Sequence, residues 1–351
     1  MQTILFEVAT KSKFPSTRYQ GSKLKYVNWI WKAIEELQFE TVLDAFGGTG
    51  SISHKLKQEG KSVTYNDILK FNSIIGSALI ENHQEVVTDL DIDLILGKTP
   101  GISYPNFIKT TFTDIYYTDE ENEWLDIAIQ NIFCIDNIYK RNLALFALFQ
   151  SCIIKRPYNL FHRKNLYIRH SEVERTFGNK VSWDTPFETH FRNFINQANA
   201  AVFSNGKQNS AINKNVFDVV NTFDLVYIDP PYISDKGVGT DYLDFYHFLE
   251  GIVNYDNWSE LIDSKSKHKR LKPIKSVWTD AKLIEKAFER LIEQFKDSIL
   301  VISYRSDGIP SITKIVEILN MFGKVVTIYE SSDMKYALSN KKTSEILLIA
   351  Q

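Results

Sequence analysis

The sequence has little cysteine, and this limits the kinds of site that it can form. Its two cysteines, Cys134 and Cys152, are too few for a disulfide framework or a four-cysteine zinc site. The seven histidines do not cluster with them, so we expect no metal site. Scarce cysteine also fits a reducing compartment, which favours the cytoplasm.

Long apolar runs are missing as well. The longest apolar-leaning stretch, residues 143–154, is interrupted by Gln150, whereas a membrane span needs about 20 apolar residues. No basic, apolar signal peptide opens the sequence. With only 15 glycines and 9 prolines, collagen-like and low-complexity chains are excluded. We therefore expect a soluble globular protein that has no membrane partner and is a monomer or weak dimer.

Hydrophobic periodicity indicates a parallel α/β sheet in the first part of the chain. Apolar residues recur at helical spacing in three segments, which alternate with two short buried strands. The helical segments are 22–37, 51–60 and 68–79, and the strands are 41–46 and 62–65. Such alternation is typical of parallel strands joined by helices.

Strand-type sequence then stops for more than a hundred residues before it resumes. The intervening residues show helical stretches near 121–154 and 187–203. Later strand segments are 223–228, 298–303, 324–329 and 345–350, with a helix over 311–322. Because 351 residues exceed what one core usually organises, we expect an insertion. The prediction is a catalytic α/β domain of residues 1–88 and 211–351, interrupted by a mostly helical inserted domain of residues 89–210.

A glycine-rich turn, Asp44-Ala45-Phe46-Gly47-Gly48-Thr49-Gly50, stands where a predicted strand passes into a helix. Glycines at this point let a ligand approach the backbone closely. The turn fails as a dinucleotide fingerprint, because His54 occupies the position where a small residue should pack helix against strand. Asp67 ends the next strand and suits hydrogen bonds from ribose hydroxyls. The alternatives are that the glycines form an ordinary tight turn and that Asp67 is an exposed aspartate at the end of a strand, with no ligand at either.

The sequence Asp229-Pro230-Pro231-Tyr232 directly follows an apolar strand. Two prolines fix the backbone and remove two N–H groups, so carbonyls and flanking side chains project into the cleft at the strand's carboxyl end. This arrangement suits an exocyclic amine on a planar base. Asp229 and the Pro230 carbonyl would accept its hydrogens, and Tyr232 would stack on the ring. A simple turn is the alternative.

Charge is distributed unevenly although the net charge is only −2. Residues 81–126 hold eleven acidic side chains and two lysines, whereas residues 151–180 hold seven basic and two acidic ones. Residues 263–275 hold six basic side chains and one acidic one. Basic stretches with interleaved aromatics predict a surface for a polyanion. For 263–275 alone, a solvated lysine-rich loop is an equal alternative.

Four motifs taken together resemble one known family. They are Arg18-Tyr19-Gln20-Gly21-Ser22-Lys23, Phe46-Gly47-Gly48-Thr49-Gly50, Asn66-Asp67 and Asp229-Pro230-Pro231-Tyr232, in that order. The chain resembles the Dam-like, D12-class adenine-N6 DNA methyltransferases, particularly those of type IIS restriction-modification systems. The resemblance implies a Rossmann-like methyltransferase fold, S-adenosylmethionine as cofactor and double-stranded DNA as substrate. A cognate restriction endonuclease or a second methyltransferase for the same site would be further partners.

The resemblance also implies roles for individual residues. Tyr19 and Lys23 would hold the methionyl carboxylate of the cofactor, and Asp67 its ribose hydroxyls. Asp218 would meet the cofactor adenine. Other cofactor contacts would come from Asp44, Phe46, Gly48 and Gly50. Asp229, Pro230 and Tyr232 would act on the target adenine after it leaves the duplex.

The insert would then be the target-recognition domain. Its basic residues Lys155, Arg156, Arg163, Lys164 and Arg169, with Lys269 and Arg270 of the later loop, are the candidates for DNA contact. One alternative is a non-catalytic DNA- or nucleotide-binding module. Another is an N4-cytosine methyltransferase, which more often has serine before the prolines. A third is an RNA or protein amine methyltransferase; protein-glutamine and some RNA methyltransferases more often have asparagine there. A cytosine-C5 enzyme needs a Pro-Cys nucleophile, and neither cysteine follows a proline.

Overall fold

The computed structural model describes residues 12–171, 180–331 and 343–351. Its centre is a seven-stranded sheet in the order β3-β2-β1-β4-β5-β7-β6. The strands are β1 (Thr41–Asp44), β2 (Ser62–Asn66), β3 (Ser210–Ile212), β4 (Leu225–Ile228), β5 (Ile299–Arg305), β6 (Val326–Ser331) and β7 (Glu345–Ala350). Strands β1 to β5 are parallel, and β7 runs antiparallel between β5 and β6. The structure confirms the predicted Rossmann-like fold.

Helices surround the sheet and form most of the segment between β2 and β3. They are α1 (Val27–Ile34), α2 (Ser51–Gln58), α3 (Lys70–Gly76), α4 (Asp89–Leu96), α5 (Phe107–Thr111), α6 (Asp119–Phe133), α7 (Ile138–Ile154), α8 (Leu166–His170), α9 (Lys180–Asp184), α10 (Phe187–Ala201), α11 (Tyr242–Ile252), α12 (Trp258–Leu261), α13 (Ile284–Gln294) and α14 (Ile312–Met321). A π-helical turn, Ser77–Glu81, continues α3. Within the described ranges, no helix has both the length and the apolar character needed to cross a membrane.

The central strands are buried on both faces, and successive residues point to opposite sides. In β4, Tyr227 belongs to the core on one face of the sheet, whereas Val226 and Ile228 belong to the core on the other. The second core also contains apolar side chains of α13 and α14. Because successive apolar residues of these strands face opposite sides, each face of the sheet has an apolar surface on which a layer of helices packs.

The inserted segment shares its core with the sheet. Phe149 of α7 meets Phe71 of α3 with ring centroids 5.8 Å apart, and both rings are fully buried. Helices α7 and α10 contribute to the same cluster as Val42 and Val63 of the sheet. The segment is helical, as predicted, but its core continues into that of the α/β part. Its role as a target-recognition domain stays a prediction.

Candidate active site

A cavity of about 680 Å³ opens at the carboxyl edge of the parallel strands. Chain segments that follow β1, β2 and β4 reach it because parallel strands end on the same side of a sheet. Predicted site residues that border it are Tyr19, Lys23, Asp44, Phe46, Gly48, Asp67 and Asp229. Topology therefore brings together residues that are more than two hundred positions apart in the sequence.

The glycine turn forms one wall of this cavity. Gly48 has a positive φ of 51°, and its N–H donates to Asp67 Oδ2 at 3.0 Å. Gly47 must be glycine for a different reason, since a Cβ there would lie 2.0 Å from the ring of Tyr65. Tyr65 in turn donates its hydroxyl hydrogen to the Gly48 carbonyl at 2.7 Å. The turn is thus shaped by backbone freedom and by a buried aromatic ring beneath it.

Asp67 is held in place by three donors. Besides Gly48, Leu69 N–H donates to Oδ1 at 2.8 Å and Asn72 Nδ2 donates to Oδ2 at 3.1 Å. Burial nevertheless raises the pKa of Asp67 to about 6. A fixed carboxylate at the cavity wall is suited to accept hydrogen bonds from the hydroxyls of a ligand.

Asp44 carries a buried acceptor that the described part of the chain leaves unsatisfied. Ser53 donates to its Oδ2 at 2.6 Å, but Oδ1 has no hydrogen-bond partner among the described residues. Burial raises the pKa of Asp44 to about 7. A buried oxygen without a donor is costly, so this wall fits a ligand that brings an N–H or ammonium group.

A second cluster surrounds Asp229. Lys23 Nζ donates to Asp229 Oδ1 at 2.8 Å and to the Tyr232 hydroxyl at 2.6 Å. The Tyr232 hydroxyl also lies 2.6 Å from Asp229 Oδ1 and 3.0 Å from Oε1 of Glu345. Lys23 was predicted to hold a cofactor carboxylate, but the structure places its ammonium group between Asp229 and Glu345.

Burial and charge act in opposite directions within this cluster. Burial raises the pKa of Asp229, Glu345 raises it further, and Lys23 opposes the shift. Burial alone would lower the pKa of Lys23, but the two neighbouring carboxylates outweigh it and raise that pKa. The ammonium form of Lys23 is therefore favoured.

Aromatic side chains that sequence reasoning missed form further walls. Tyr19 stacks on Tyr246 of α11 with centroids 4.4 Å apart and on Tyr242 at 5.5 Å, and Tyr242 borders the cavity. On another wall, Phe217 stacks on Trp278 at 5.7 Å. Asp218, which follows Phe217 and was predicted to contact the cofactor, pointed to this region, but Trp278 lies in an irregular segment with no periodic signal.

Four of the residues predicted to act in catalysis or cofactor binding do not border the cavity. Gly50 is the N-cap residue of α2 and has a positive φ of 77°. Pro230 is buried, and its neighbour Pro231 borders the cavity instead. Asp218 is exposed, and its neighbour Phe217 borders the cavity instead. Tyr232 is only 8% exposed, so stacking on a base requires its ring or the base to move.

Three of the predicted DNA contacts are wrong for this structure, because their charged groups are buried and have partners inside the protein. Lys155 is 1% exposed and pairs with Glu121 Oε1 at 2.9 Å. Arg169 forms two hydrogen bonds to Glu121, at 2.7 and 2.8 Å. Arg156, also 1% exposed, donates to the carbonyls of Tyr116, Leu160 and Arg163. None of the three is available to a phosphate.

The other predicted basic residues lie at the surface, and the two basic segments meet. Arg163 and Lys164 are exposed. Lys269 and Arg270 are half-buried and belong to a hairpin, residues 261–272, in which Ile262 pairs antiparallel with Leu271. Arg270 forms ion pairs with Asp244 at 3.6 Å and with Asp263 at 3.4 Å.

One buried tyrosine joins the two segments. The hydroxyl oxygen of Tyr116 lies 2.6 Å from the Phe161 carbonyl oxygen and 2.9 Å from the His268 carbonyl oxygen, so its single hydrogen has an acceptor in each segment. Leu271 and the residues that follow it border the cavity. The exposed basic side chains are therefore carried by segments that lie beside the mouth of the candidate site.

Fold and site together define a methyltransferase of the Rossmann-like class. The model of the D12 class N6 adenine-specific DNA methyltransferases matches residues 19–305, and the chain belongs to that family. The match extends from Tyr19 at the cavity to Arg305 at the end of β5.

Curated relatives are similar over nearly the whole chain. The type II methyltransferase M2.HphI of Haemophilus parahaemolyticus is 30% identical over 97% of this chain and 98% of its own length. Modification methylase LlaI of Lactococcus lactis is 26% identical over 94% of this chain, and M.FokI of Planomicrobium okeanokoites is 27% identical over 94%. The chain spans only 54% and 51% of those two proteins, about half of each.

Proposed function

We propose that the chain is a site-specific DNA methyltransferase that methylates the N6 amine of an adenine turned out of double-stranded DNA. The observation that carries this proposal is the position of Asp229 and Pro231 at a cavity that also contains Asp44 and Asp67. An acceptor suited to an amine and the residues expected to bind the cofactor thus border one cavity. Family membership supports the same chemistry.

S-adenosylmethionine fits the residues of the cavity. Asp67 would accept hydrogen bonds from its ribose hydroxyls, and the unsatisfied Oδ1 of Asp44 suits its cationic amino group. Phe46, Gly48 and Phe217 would line the rest of the binding site. When bound, this cofactor supplies a sulfonium methyl group for transfer.

The chain's own residues would prepare the adenine amine. Turning the base out of the duplex costs a few kcal/mol, which stacking on Tyr232 would partly offset. Asp229 and the Pro230 carbonyl would accept the amine hydrogens and concentrate the lone pair on nitrogen. The raised pKa of Asp229 suits a group that takes up the proton released by the amine.

DNA would lie across the two basic segments, with Arg163, Lys164 and Lys269 facing its phosphates. Arg270 would join them by exchanging its ion pairs with Asp244 and Asp263 for a phosphate. This surface is beside the cavity, so a base that leaves the duplex would have a short path to Asp229. We further propose that the modification protects host DNA from a cognate restriction endonuclease. A second methyltransferase acting on the same site is a further proposed partner.

The proposal is tested by incubating purified protein with unmethylated bacterial DNA and isotopically labelled S-adenosylmethionine. Nucleosides from the digested DNA are then separated and identified by mass spectrometry. Wild type should give labelled N6-methyldeoxyadenosine, and Asp229→Ala should give none while still binding the cofactor. Label on cytosine, or equal product from Asp229→Ala, would contradict the proposal.

A further inference from the structure

Glu345 is a buried carboxylate that touches the Asp229 cluster from the far end of the sequence. It is the first residue of β7, which runs antiparallel to β5 and pairs Glu345 with Arg305. The start of β7 therefore lies at the same edge as the ends of the parallel strands. The side chain is 1% exposed, so its charge must be met by neighbouring groups.

Its neighbours are a buried hydroxyl and two members of the cluster. Glu345 Oε1 accepts a hydrogen bond from Ser303 Oγ at 2.5 Å. The same oxygen lies 3.0 Å from the Tyr232 hydroxyl and 3.4 Å from Lys23 Nζ. Ser303 thus anchors the carboxylate to β5, and the other two contacts point towards Asp229.

The cluster contains two carboxylates, those of Asp229 and Glu345, for the single ammonium group of Lys23. Lys23 and Tyr232 both approach Asp229 Oδ1, at 2.8 and 2.6 Å. If Asp229 accepts hydrogens from a target amine, those two donors compete with the amine for the same carboxylate. Glu345 is an alternative acceptor within reach of both of them.

We propose that Glu345 is a positioning residue for methyl transfer, because it holds Lys23 and Tyr232 while Asp229 turns to the adenine amine. This inference rests on the proposed function. In this role the Glu345 side chain orients Lys23 and Tyr232 and does not itself contact the base.

The charge of Glu345 gives this role a measurable signature. The ionisable groups that it influences are Lys23, Asp229, Tyr26, Tyr227 and Tyr242. The pKa values of all three tyrosines are raised, chiefly by burial, so they remain neutral. Replacing Glu345 by glutamine should therefore lower the pKa of both Lys23 and Asp229.

The test compares wild type with Glu345→Gln in two measurements. In protein labelled with ¹³C-lysine, the Cε resonance of Lys23, assigned with Lys23→Arg, is followed against pH. Its midpoint should fall by about 1 pH unit in Glu345→Gln. The single-turnover rate of methyl transfer should fall by about 10- to 100-fold, the scale of lost positioning, while affinity for S-adenosylmethionine stays unchanged.

Asp126→Asn is the matched control. Asp126 is also a carboxylate that is 1% exposed, but it accepts hydrogen bonds from Ile108 N–H and Lys109 N–H at the start of α5. This variant should lose thermal stability while keeping the wild-type transfer rate and Lys23 midpoint. If Glu345→Gln behaves in the same way, Glu345 is merely structural and the inference is overturned.

Two further outcomes also have a definite meaning: an unfolded Glu345→Gln variant and an inactive wild type. If Glu345→Gln does not fold, Ser303→Ala is measured instead, because it releases Glu345 from β5. A reduced transfer rate in that variant supports the inference, and a wild-type rate overturns it. If wild type itself transfers no methyl group to adenine, the proposed function fails, and an unchanged Lys23 midpoint would separately refute the contact with Glu345.

Discussion

At the scale of single residues, Asp67 links protonation to ligand binding. Its carboxylate borders the cavity, and burial raises its pKa to about 6 from the ordinary value of 3.8. Hydroxyl groups of a ligand donate hydrogens to the ionised form. Binding of S-adenosylmethionine should therefore favour loss of the proton from Asp67.

The affinity for S-adenosylmethionine should fall as the pH drops through about 6, because Asp67 must lose a proton to bind. Between pH 7 and pH 5 the weakening should be about tenfold, as linkage requires for one proton. Isothermal titration calorimetry measures it. Asp44 has a pKa of about 7 and titrates in the same range. Because Asp67→Asn retains Asp44, the difference between the pH profiles of wild type and Asp67→Asn reports the contribution of Asp67. Identical profiles would refute this role.

Sequence reasoning located Asp67 and Asp229 because short motifs follow predicted strands, and strand ends meet at one edge of a parallel sheet. It could not foresee where side chains point. Lys155 and Arg169 look like surface cations in the sequence, but both are paired with Glu121, more than thirty positions away. Glu345 begins a predicted strand segment, yet only the antiparallel pairing of β7 shows that it reaches Tyr232.

At the scale of elements, the basic hairpin of residues 261–272 has the features of a DNA-contacting arm. Lys265 and Lys267 are exposed, and Lys269 has a positive φ of 57°. Leu261 and Leu271 at its base border the cavity. Cations on such an arm can meet phosphates while its base stays fixed to the site.

Replacing Lys265, Lys267 and Lys269 by alanine together should weaken binding to a random-sequence duplex at low salt. Each lost phosphate contact should reduce the slope of log K against log salt by about 0.9. Fluorescence anisotropy at several salt concentrations measures that slope. An unchanged slope would mean that the hairpin is a solvated loop.

Lys155→Met provides a contrast within the same basic composition. Lys155 is buried and bonds to the carbonyls of Trp183 and Thr185 as well as to Glu121. Its replacement should lower the free energy of unfolding by about 2–4 kcal/mol, because it breaks a buried charge network. Urea denaturation measures this loss. A change in salt slope without a loss of stability would show that Lys155 contacts DNA.

The elements themselves were largely predictable, apart from the shortest ones. Six of the seven strands fall on predicted segments, because their apolar runs are bounded by turns. The exception is β3, Ser210–Ile212, which has three residues and only intermediate burial. Its pairing with β2 comes from tertiary contact and leaves no periodic pattern in the sequence.

At the scale of the whole molecule, composition conceals how charge is used. The net charge is −2, yet exposed basic residues from two distant segments lie beside one cavity. Some of the remaining positive charge is buried against acidic side chains of α6, such as Glu121. Some of the basic residues in these segments therefore stabilise the fold, and the exposed ones remain available to a polyanion.

The most direct measurement of the central proposal is single-molecule sequencing of genomic DNA from a methylation-free bacterial host that expresses the chain. Expression of wild type should give N6-methyladenine in one defined sequence context, and expression of Asp229→Ala should give none. Absence of modified adenine despite expression of folded wild-type protein, or modification of cytosine, would contradict the proposal.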